Sequence, residues 1–195
     1  MPAVIDATPG GVAANSYLTV AEANAYFDAR LPLPIAWVDQ DADVQISLLI
    51  MATRQMDALL MGTKRLVTDG TSHYYIIGRK WTGLPTTATQ RLSWPRQTMY
   101  DANGNVIGSM VIPEDLKAAT AEFAGQLGLG DRTLDNDVIV QGLTSIKAGS
   151  VSLGFKSSFT PQVLPDAVAN LLVPSWYTEE VYEPANQALF DVVSD

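Results

Sequence analysis

The residue types that carry most enzyme chemistry are scarce in this chain of 195 residues. It contains no cysteine and one histidine, His73, which stands in a turn-like stretch beside threonine, serine and tyrosine. Without cysteine there is no disulfide, no thiolate nucleophile and no cysteine-ligated metal. A lone histidine without neighbouring ligands is typical of a surface or turn position. We therefore expect no enzyme activity, no catalytic residue, no cofactor and no metal ion.

Other ligand-binding motifs are incomplete. Asp39, Asp41 and Asp43 alternate as calcium ligands do, but the stretch lacks the glycine and the closing glutamate of an EF-hand, and helix capping explains it better. Residues 128–130, Gly-Leu-Gly, lack the third glycine of a dinucleotide-binding loop. The sequence also has no Gly-x-Ser-x-Gly elbow and no phosphate-binding P-loop.

Residues 90–96, Gln-Arg-Leu-Ser-Trp-Pro-Arg, combine an aromatic side chain, a proline and two arginines. Pro95 fixes its own φ, removes a backbone donor and biases Trp94 towards extended backbone. Trp94 is thereby held on non-helical backbone between Arg91 and Arg96. This arrangement suits either a peg that anchors a loop or a contact for a partner. We interpret Trp94, Pro95 and Arg96 as a structural peg, with Arg96 paired to an acidic neighbour.

The charge of the chain falls into three blocks. Residues 1–53 carry one basic and six acidic residues, residues 54–96 seven and two, and residues 97–195 four and thirteen. In the basic block Trp81 and Trp94 alternate with cations, a pattern that suits single-stranded nucleic acid. The acidic flanks and a pI of about 4.4 oppose such binding, because they repel phosphate. The blocks either neutralise one another within one fold or steer self-assembly.

Start and stop signals predict the helices. A capping box formed by Thr19 and Glu22 opens the first, aspartates cap the second, and Pro113 opens the third, which ends at Gly128. Helices are predicted over 19–30, 39–61, 113–127 and 165–173.

The second predicted helix is apolar nearly all round. Such a helix must be covered on nearly every side. Either it is the centre of a bundle, or a neighbouring subunit covers part of it. One apolar stripe consists of Val44, Leu48, Met51, Ala52 and Leu59. The candidate subunit interface consists of Ile46, Leu49, Ile50 and Met56.

These patterns predict a mainly α fold, a small bundle of about four helices with extended arms at both ends. Residues 1–15 are expected to be a loose N-terminal arm, and residues 16–174 the helical domain. Within the domain, a long-loop insertion near 62–90 contains a possible strand or hairpin, and a β-hairpin is expected near 143–155.

Residues 175–195 combine acidic charge with scattered aromatic side chains. From residue 160 onward the chain has six acidic residues and no basic one. Such a segment either orders on a partner or folds back over its own bundle. If it is a docking arm, its candidate contact residues are Trp176, Tyr177, Tyr182, Leu189 and Phe190.

Short motifs follow one another in a recognisable order along residues 14–174. They are Ser16-Tyr17-x-Thr19-x-x-Glu22-Ala23-x-x-Tyr26, a helix with Ala52-Thr53 and Met56-Asp57, Gln90-x-Leu92-x-Trp94-Pro95-Arg96, Asp101-x-Asn103-Gly104, and Ile112-Pro113. Their order resembles that of the head–tail connector proteins of tailed bacteriophages, also called adaptor or head-completion proteins. Some relatives carry a label of single-stranded-DNA-binding protein. The stretch 62–89 is longer here than in the compact family pattern.

The resemblance implies a structural virion protein. Its copies would form a homo-oligomeric ring, typically dodecameric, below the portal protein, and would join the capsid to a downstream neck or tail protein. The ring would extend the DNA channel, through which packaged DNA passes without sequence-specific binding during ejection. A C-terminal arm would dock on the portal. The expected location is the virion neck, after assembly in the host cytoplasm, with no membrane contact. The alternative is a single-stranded-nucleic-acid-binding module.

Overall fold

The fold is seen in a computed structural model that describes residues 3–32, 34–69, 72–129, 145–148, 151–154, 164–178 and 181–184. Its helices are α1 (Val20–Asp28), α2 (Ile35–Val38), α3 (Ala42–Leu59), α4 (Glu114–Leu127) and α5 (Asp166–Ala169), followed by a 3₁₀-helix, Pro174–Trp176. Its strands are β1 (Lys64–Asp69), β2 (Ser72–Ile77), β3 (Lys80–Trp81), β4 (Leu84–Pro85), β5 (Arg96–Gln97), β6 (Ser145–Ala148), β7 (Val151–Gly154), β8 (Tyr177–Thr178) and β9 (Val181–Pro184). The predicted mainly α bundle is thus corrected to a mixed fold of helices and small sheets.

The first helix begins where its capping box places it. The Thr19 hydroxyl accepts a hydrogen bond from the Glu22 backbone N–H at 3.2 Å, and the Glu22 carboxylate accepts one from the Thr19 N–H at 2.7 Å. Lys117 of α4 donates to the same carboxylate at 2.8 Å. Burial alone would raise the pKa of Glu22, but the hydrogen bonds from Lys117 and Thr19 outweigh it and lower that pKa. The cap therefore also ties α1 to α4.

The core is centred on the packing of α3 against α4. α3 contributes Leu49, Ala52 and Met56, which are fully buried, and α4 contributes Leu116 and Phe123. The three α3 residues recur at three- and four-residue spacing, so they share one face. Alanines along α4 keep that helix thin and let α3 approach it closely.

This packing corrects the predicted subunit interface. Leu49 and Met56 are fully buried within the chain, so a neighbouring copy cannot contact them. Ile46 and Ile50 are half-buried. The predicted stripe is also displaced, since Val44 is 40% exposed while the buried face of α3 runs through Leu49. The reason is that α3 packs against both α1 and α4 within the chain, and Leu49 is among its fully buried residues.

The end of α4 lies against α2 with no room for a side chain. Gly128 caps α4 with helical φ and ψ angles. A Cβ built there would overlap the Ala36 carbonyl oxygen of α2. Glycine is therefore required here by the close approach of two backbones, and not by an unusual φ angle.

The stretch 62–90, predicted as a long-loop insertion with a possible strand or hairpin, contains strands β1 to β4. β1 and β2 form a hairpin in which Lys64 pairs with Ile77, and β9 pairs with the other edge of β2. The sheet order is β1-β2-β9. Farther along, β3 pairs with β8, β4 with β5, and β6 with β7. The β6–β7 hairpin lies within the range 143–155.

Neither end of the described chain is the extended arm that the sequence indicates. Near the N-terminus the Asp6 N–H donates to the Asn15 side-chain oxygen at 2.8 Å, the Asn15 N–H donates back to the Asp6 carbonyl at 2.8 Å, and Ala14 is buried. At the other end, β8 and β9 add residues 177–178 and 181–184 to sheets. The Arg91 N–H donates to the Gly11 carbonyl at 3.3 Å, so a residue distant in sequence also holds the N-terminal segment, as strand pairing holds the C-terminal one.

Candidate functional site

Three tryptophans meet at the centre of the motif-bearing region. The Trp94 ring lies 5.8 Å from the Trp81 ring, edge to face at 86°, and 5.1 Å from the Trp176 ring at 59°. All three, here called the tryptophan cluster, are at most 3% exposed. The Trp176 indole N–H donates to the Tyr100 carbonyl at 2.6 Å. The cluster thus joins β3, the 90–96 segment and the 3₁₀-helix.

A buried polar network holds the backbone of the 90–96 segment. The Tyr17 hydroxyl donates to one carboxylate oxygen of Asp57, and the Ser93 N–H donates to the other at 3.0 Å. The Trp94 N–H donates to the Tyr17 oxygen at 3.3 Å. These bonds pin the turn before Trp94 to α3 and to the segment that precedes α1.

Burial shifts both acidic groups of this network. It raises the pKa of the Asp57 carboxyl, although hydrogen bonds from Tyr17 and Ser93 oppose the shift. Burial, followed by the charge of Asp57, raises the pKa of the Tyr17 phenol well above its ordinary value. The Asp57 carboxylate, held by Tyr17 and Ser93, thus links the 90–96 segment to α3.

The side chain of Arg96 holds loops of the chain together. Its guanidinium donates to the carbonyls of Thr82, Ser93 and Gly83, the last two at 2.9 and 2.8 Å. The side chain is 7% exposed. The predicted ion pair with an acidic neighbour is therefore corrected to three backbone carbonyls. The physical reason is that the planar guanidinium fits several carbonyls of the surrounding turns at once.

The residues predicted to form a structural peg lie inside the fold. Trp94, Pro95 and Arg96 are all buried. The face of Trp94 is covered by other rings, so it is not exposed to stack a base. Arg96 is withdrawn from a phosphate because its side chain is 7% exposed and three of its five N–H donors point at carbonyl oxygens.

The other predicted site residues are scattered. His73 lies on β2, in register with Thr68 of β1. Asp41 stands at the N-cap of α3 without a side-chain cap bond. Within the described residues, no group of three or more histidines, cysteines, aspartates or glutamates is placed to hold a metal ion. None of the described helices has both the length and the apolar character needed to cross a membrane.

The candidate docking residues of the C-terminal segment divide into three groups. Trp176 is corrected to a core residue, because it is 1% exposed and packs on Trp94. Tyr177 is half-buried on β8, and Tyr182 lies on β9 in register with Ile76. Leu189 and Phe190 lie outside the described residues.

Sequence reasoning missed a cleft of about 250 Å³ beside the buried network. Arg54 and Arg91 line it, and neither forms an ion pair or a side-chain hydrogen bond with another described residue. The cleft is bounded by Asn15, Ile50, Arg54, Asp57, Ala58, Met61, Arg91 and Leu92. The sequence signal was weak, because these residues come from three separate segments of the chain.

The fold and this site define a small mixed helix-and-sheet protein in which an aromatic and cationic segment serves as internal architecture. A family model described as "Putative DnaT-like ssDNA binding protein" matches residues 1–183, and the chain therefore belongs to that family. Neither a curated protein nor a solved structure matches the chain.

Proposed function

We propose that this protein is a structural component of a tailed-bacteriophage virion, a head–tail connector that forms a ring below the portal. One observation carries the proposal. Trp94 and Arg96, the pair best suited in type to hold a nucleic acid strand, are buried and tie loops of the chain together. The ordered motifs along residues 14–174 support the same class by resemblance.

The charge of the chain suits a protein that surrounds moving DNA. Its formal net charge is −9. Like charges on a channel wall and on DNA oppose tight binding, so DNA can slide past. In this proposal the protein works by assembly, the portal serves as the template for the ring, and no substrate is turned over.

Co-sedimentation with purified portal complexes from the same phage tests the connector proposal. The free protein is expected to be monomeric or weakly associated by size-exclusion chromatography with light scattering. Mixed with portals, it should sediment with them in a fixed ratio. A stable ring of the free protein at low micromolar concentration, or no co-sedimentation, contradicts the proposal.

Single-stranded DNA binding is a second candidate, favoured by the description of the family to which the chain belongs. The structure moves its test away from Trp94 and Arg96, because changing these buried residues would disturb the fold. Exposed cations of the basic block are the proper targets, and Arg54, Lys80 and Arg91 are all exposed.

A salt series with a labelled oligothymidylate tests this second candidate. Phosphate contacts release counterions, so affinity should fall steeply as salt rises. Charge reversal at Arg54, Lys80 and Arg91 should abolish binding without changing the circular dichroism spectrum. Affinity that is weak at low salt and indifferent to these three changes eliminates the candidate.

A further inference from the structure

The cleft lined by Arg54 and Arg91, here called the arginine cleft, combines two exposed cations with apolar walls. We propose that it receives residues 185–195 of a neighbouring copy of this chain. The inference goes beyond the connector function, since it names a contact between copies that could serve any homo-oligomer.

Two cations of the cleft have no carboxylate of their own within the described part of the chain. Arg54 and Arg91 are exposed and appear in no ion pair there. Asp57 also lines the cleft, but its two oxygens already accept hydrogen bonds from Tyr17 and Ser93. The two guanidinium groups are therefore available to carboxylates from outside.

The remaining walls of the cleft are largely apolar. Ile50 and Leu92 are half-buried, and Met61 is 64% exposed. No aromatic side chain is among the lining residues. Single-stranded nucleic acid is usually held by stacking its bases on aromatic rings. A peptide that brings both carboxylates and aliphatic groups fits these walls better.

Residues 185–195 of the chain have that composition. The sequence Ala-Asn-Gln-Ala-Leu-Phe-Asp-Val-Val-Ser-Asp contains two aspartates, Asp191 and Asp195, and no basic residue. Leu189, Phe190 and two valines supply the apolar groups. The basic block that contains Arg54 and Arg91 has the opposite charge, so the cleft and residues 185–195 are complementary in charge.

The direction of β9 favours a neighbouring copy over the same chain. Val181 pairs with Ile77 of β2. Gly78, which follows Ile77, donates its N–H to the carbonyl of Thr63, two residues from Met61 of the cleft. Pro184 pairs with Tyr74, three residues farther along β2, or roughly 10 Å away at the rise of a strand. The chain therefore leaves β9 heading away from its own cleft.

A charge-swap experiment on the full-length chain tests this contact by sedimentation velocity over a concentration series that extends high enough to populate the weak association expected of the free chain. The double variant Arg54→Glu with Arg91→Glu should weaken self-association by about tenfold or more, and Asp191→Lys with Asp195→Lys should do the same. An equimolar mixture of the two variants should restore association, because each acidic group again meets a basic one. The exposed Lys80→Glu is the matched control and should associate as the wild type does.

Several outcomes overturn the proposal. Wild-type association equal to that of the Arg54/Arg91 variant excludes the cleft, and a mixture no better than its components excludes pairing between copies. A labelled oligothymidylate whose binding needs both arginines, with self-association unchanged, assigns the cleft to nucleic acid instead. Failure of the connector function is distinguishable, since portal co-sedimentation would then be absent while the charge-swap pattern remains.

Discussion

At the scale of single residues, the protein uses aromatic and charged side chains for internal support. Trp94 is packed between two other tryptophans, and Arg96 donates hydrogen bonds to three backbone carbonyl groups. The position of Trp94 in the core could be predicted from the Trp-Pro dipeptide. The partners of Arg96 could not, because Thr82 and Gly83 approach through tertiary folding from a turn of unrelated sequence.

Trp94 is expected to contribute packing but no side-chain hydrogen bond. Its indole N–H is buried and has no hydrogen-bond partner among the residues that the structure describes. Trp94→Ala should therefore lower the free energy of unfolding by about 3–5 kcal/mol, whereas Trp94→Phe should cost distinctly less. Trp176→Phe, which loses the bond to Tyr100, should cost about 1 kcal/mol more than Trp94→Phe. Urea denaturation measures all three; equal losses for the two phenylalanine variants would contradict this assignment.

One buried phenol, Tyr17, and one half-buried phenol, Tyr26, make the fold sensitive to alkaline pH. Burial, then the hydrogen bond to Glu122, raises the pKa of Tyr26 to about 12, and burial raises that of Tyr17 as well. Both phenols ionise more readily in the unfolded chain, near 10.0. Their contribution is complete below pH 10.0 and is lost as pH rises towards about 12.

Thermal melting across this alkaline range checks the prediction. The melting temperature should fall above pH 10.0, and Tyr26→Phe should reduce that fall. Tyrosinate absorbance gives an independent measurement, since the folded protein should show fewer than its seven tyrosines ionising together. A single titration of all seven near the ordinary value would refute the burial of these phenols.

At the scale of elements, local signals set the helix starts and distant contacts set everything else. The capping box placed α1 correctly because its two partners are three residues apart. The rotation of α3 depends on α1 and α4, so periodicity alone put Leu49 and Met56 on the wrong surface. Residues 177–178 pair with β3, which lies nearly a hundred positions earlier in the chain. No local sequence pattern predicts this strand pairing.

The junction of α4 with α2 provides a sharp test of packing. Replacing a helical glycine by alanine usually stabilises a protein by reducing the entropy of the unfolded chain. At Gly128 the added Cβ would overlap the Ala36 carbonyl. Gly128→Ala should therefore lower stability by about 1–3 kcal/mol. The nearby Gln126→Ala is the control and should be almost neutral; a stabilised Gly128→Ala would show that α2 does not lie there.

Truncation separates the folded part of the C-terminal segment from residues 185–195. A chain cut after residue 174 loses Trp176, β8 and β9, so it should lose cooperative unfolding. A chain cut after residue 184 keeps these elements and should melt close to the full-length protein. Near-ultraviolet circular dichroism follows both changes. Equal melting of the two truncated chains would mean that Trp176 does not support the core.

At the scale of the whole molecule, the basic residues are divided between contacts within the chain and the surface. Part of the basic block already has partners within the chain. Arg96 is buried, and Lys64 pairs with Glu183 at 2.9 Å on the surface. Arg54 and Arg91 remain on the surface beside an apolar cleft. The three charge blocks were visible in the sequence, but which cations stay exposed depends on the fold. In the connector proposal these exposed cations serve contacts between copies.

Electron microscopy of portal complexes mixed with the purified protein tests the connector claim most directly. An added ring of density is expected on the tail-side face of the portal, continuous with its channel. Labelled oligothymidylate added to the same mixture should leave that density in place. A portal that remains bare while the protein binds the oligonucleotide would contradict the account and establish a nucleic-acid-binding module instead.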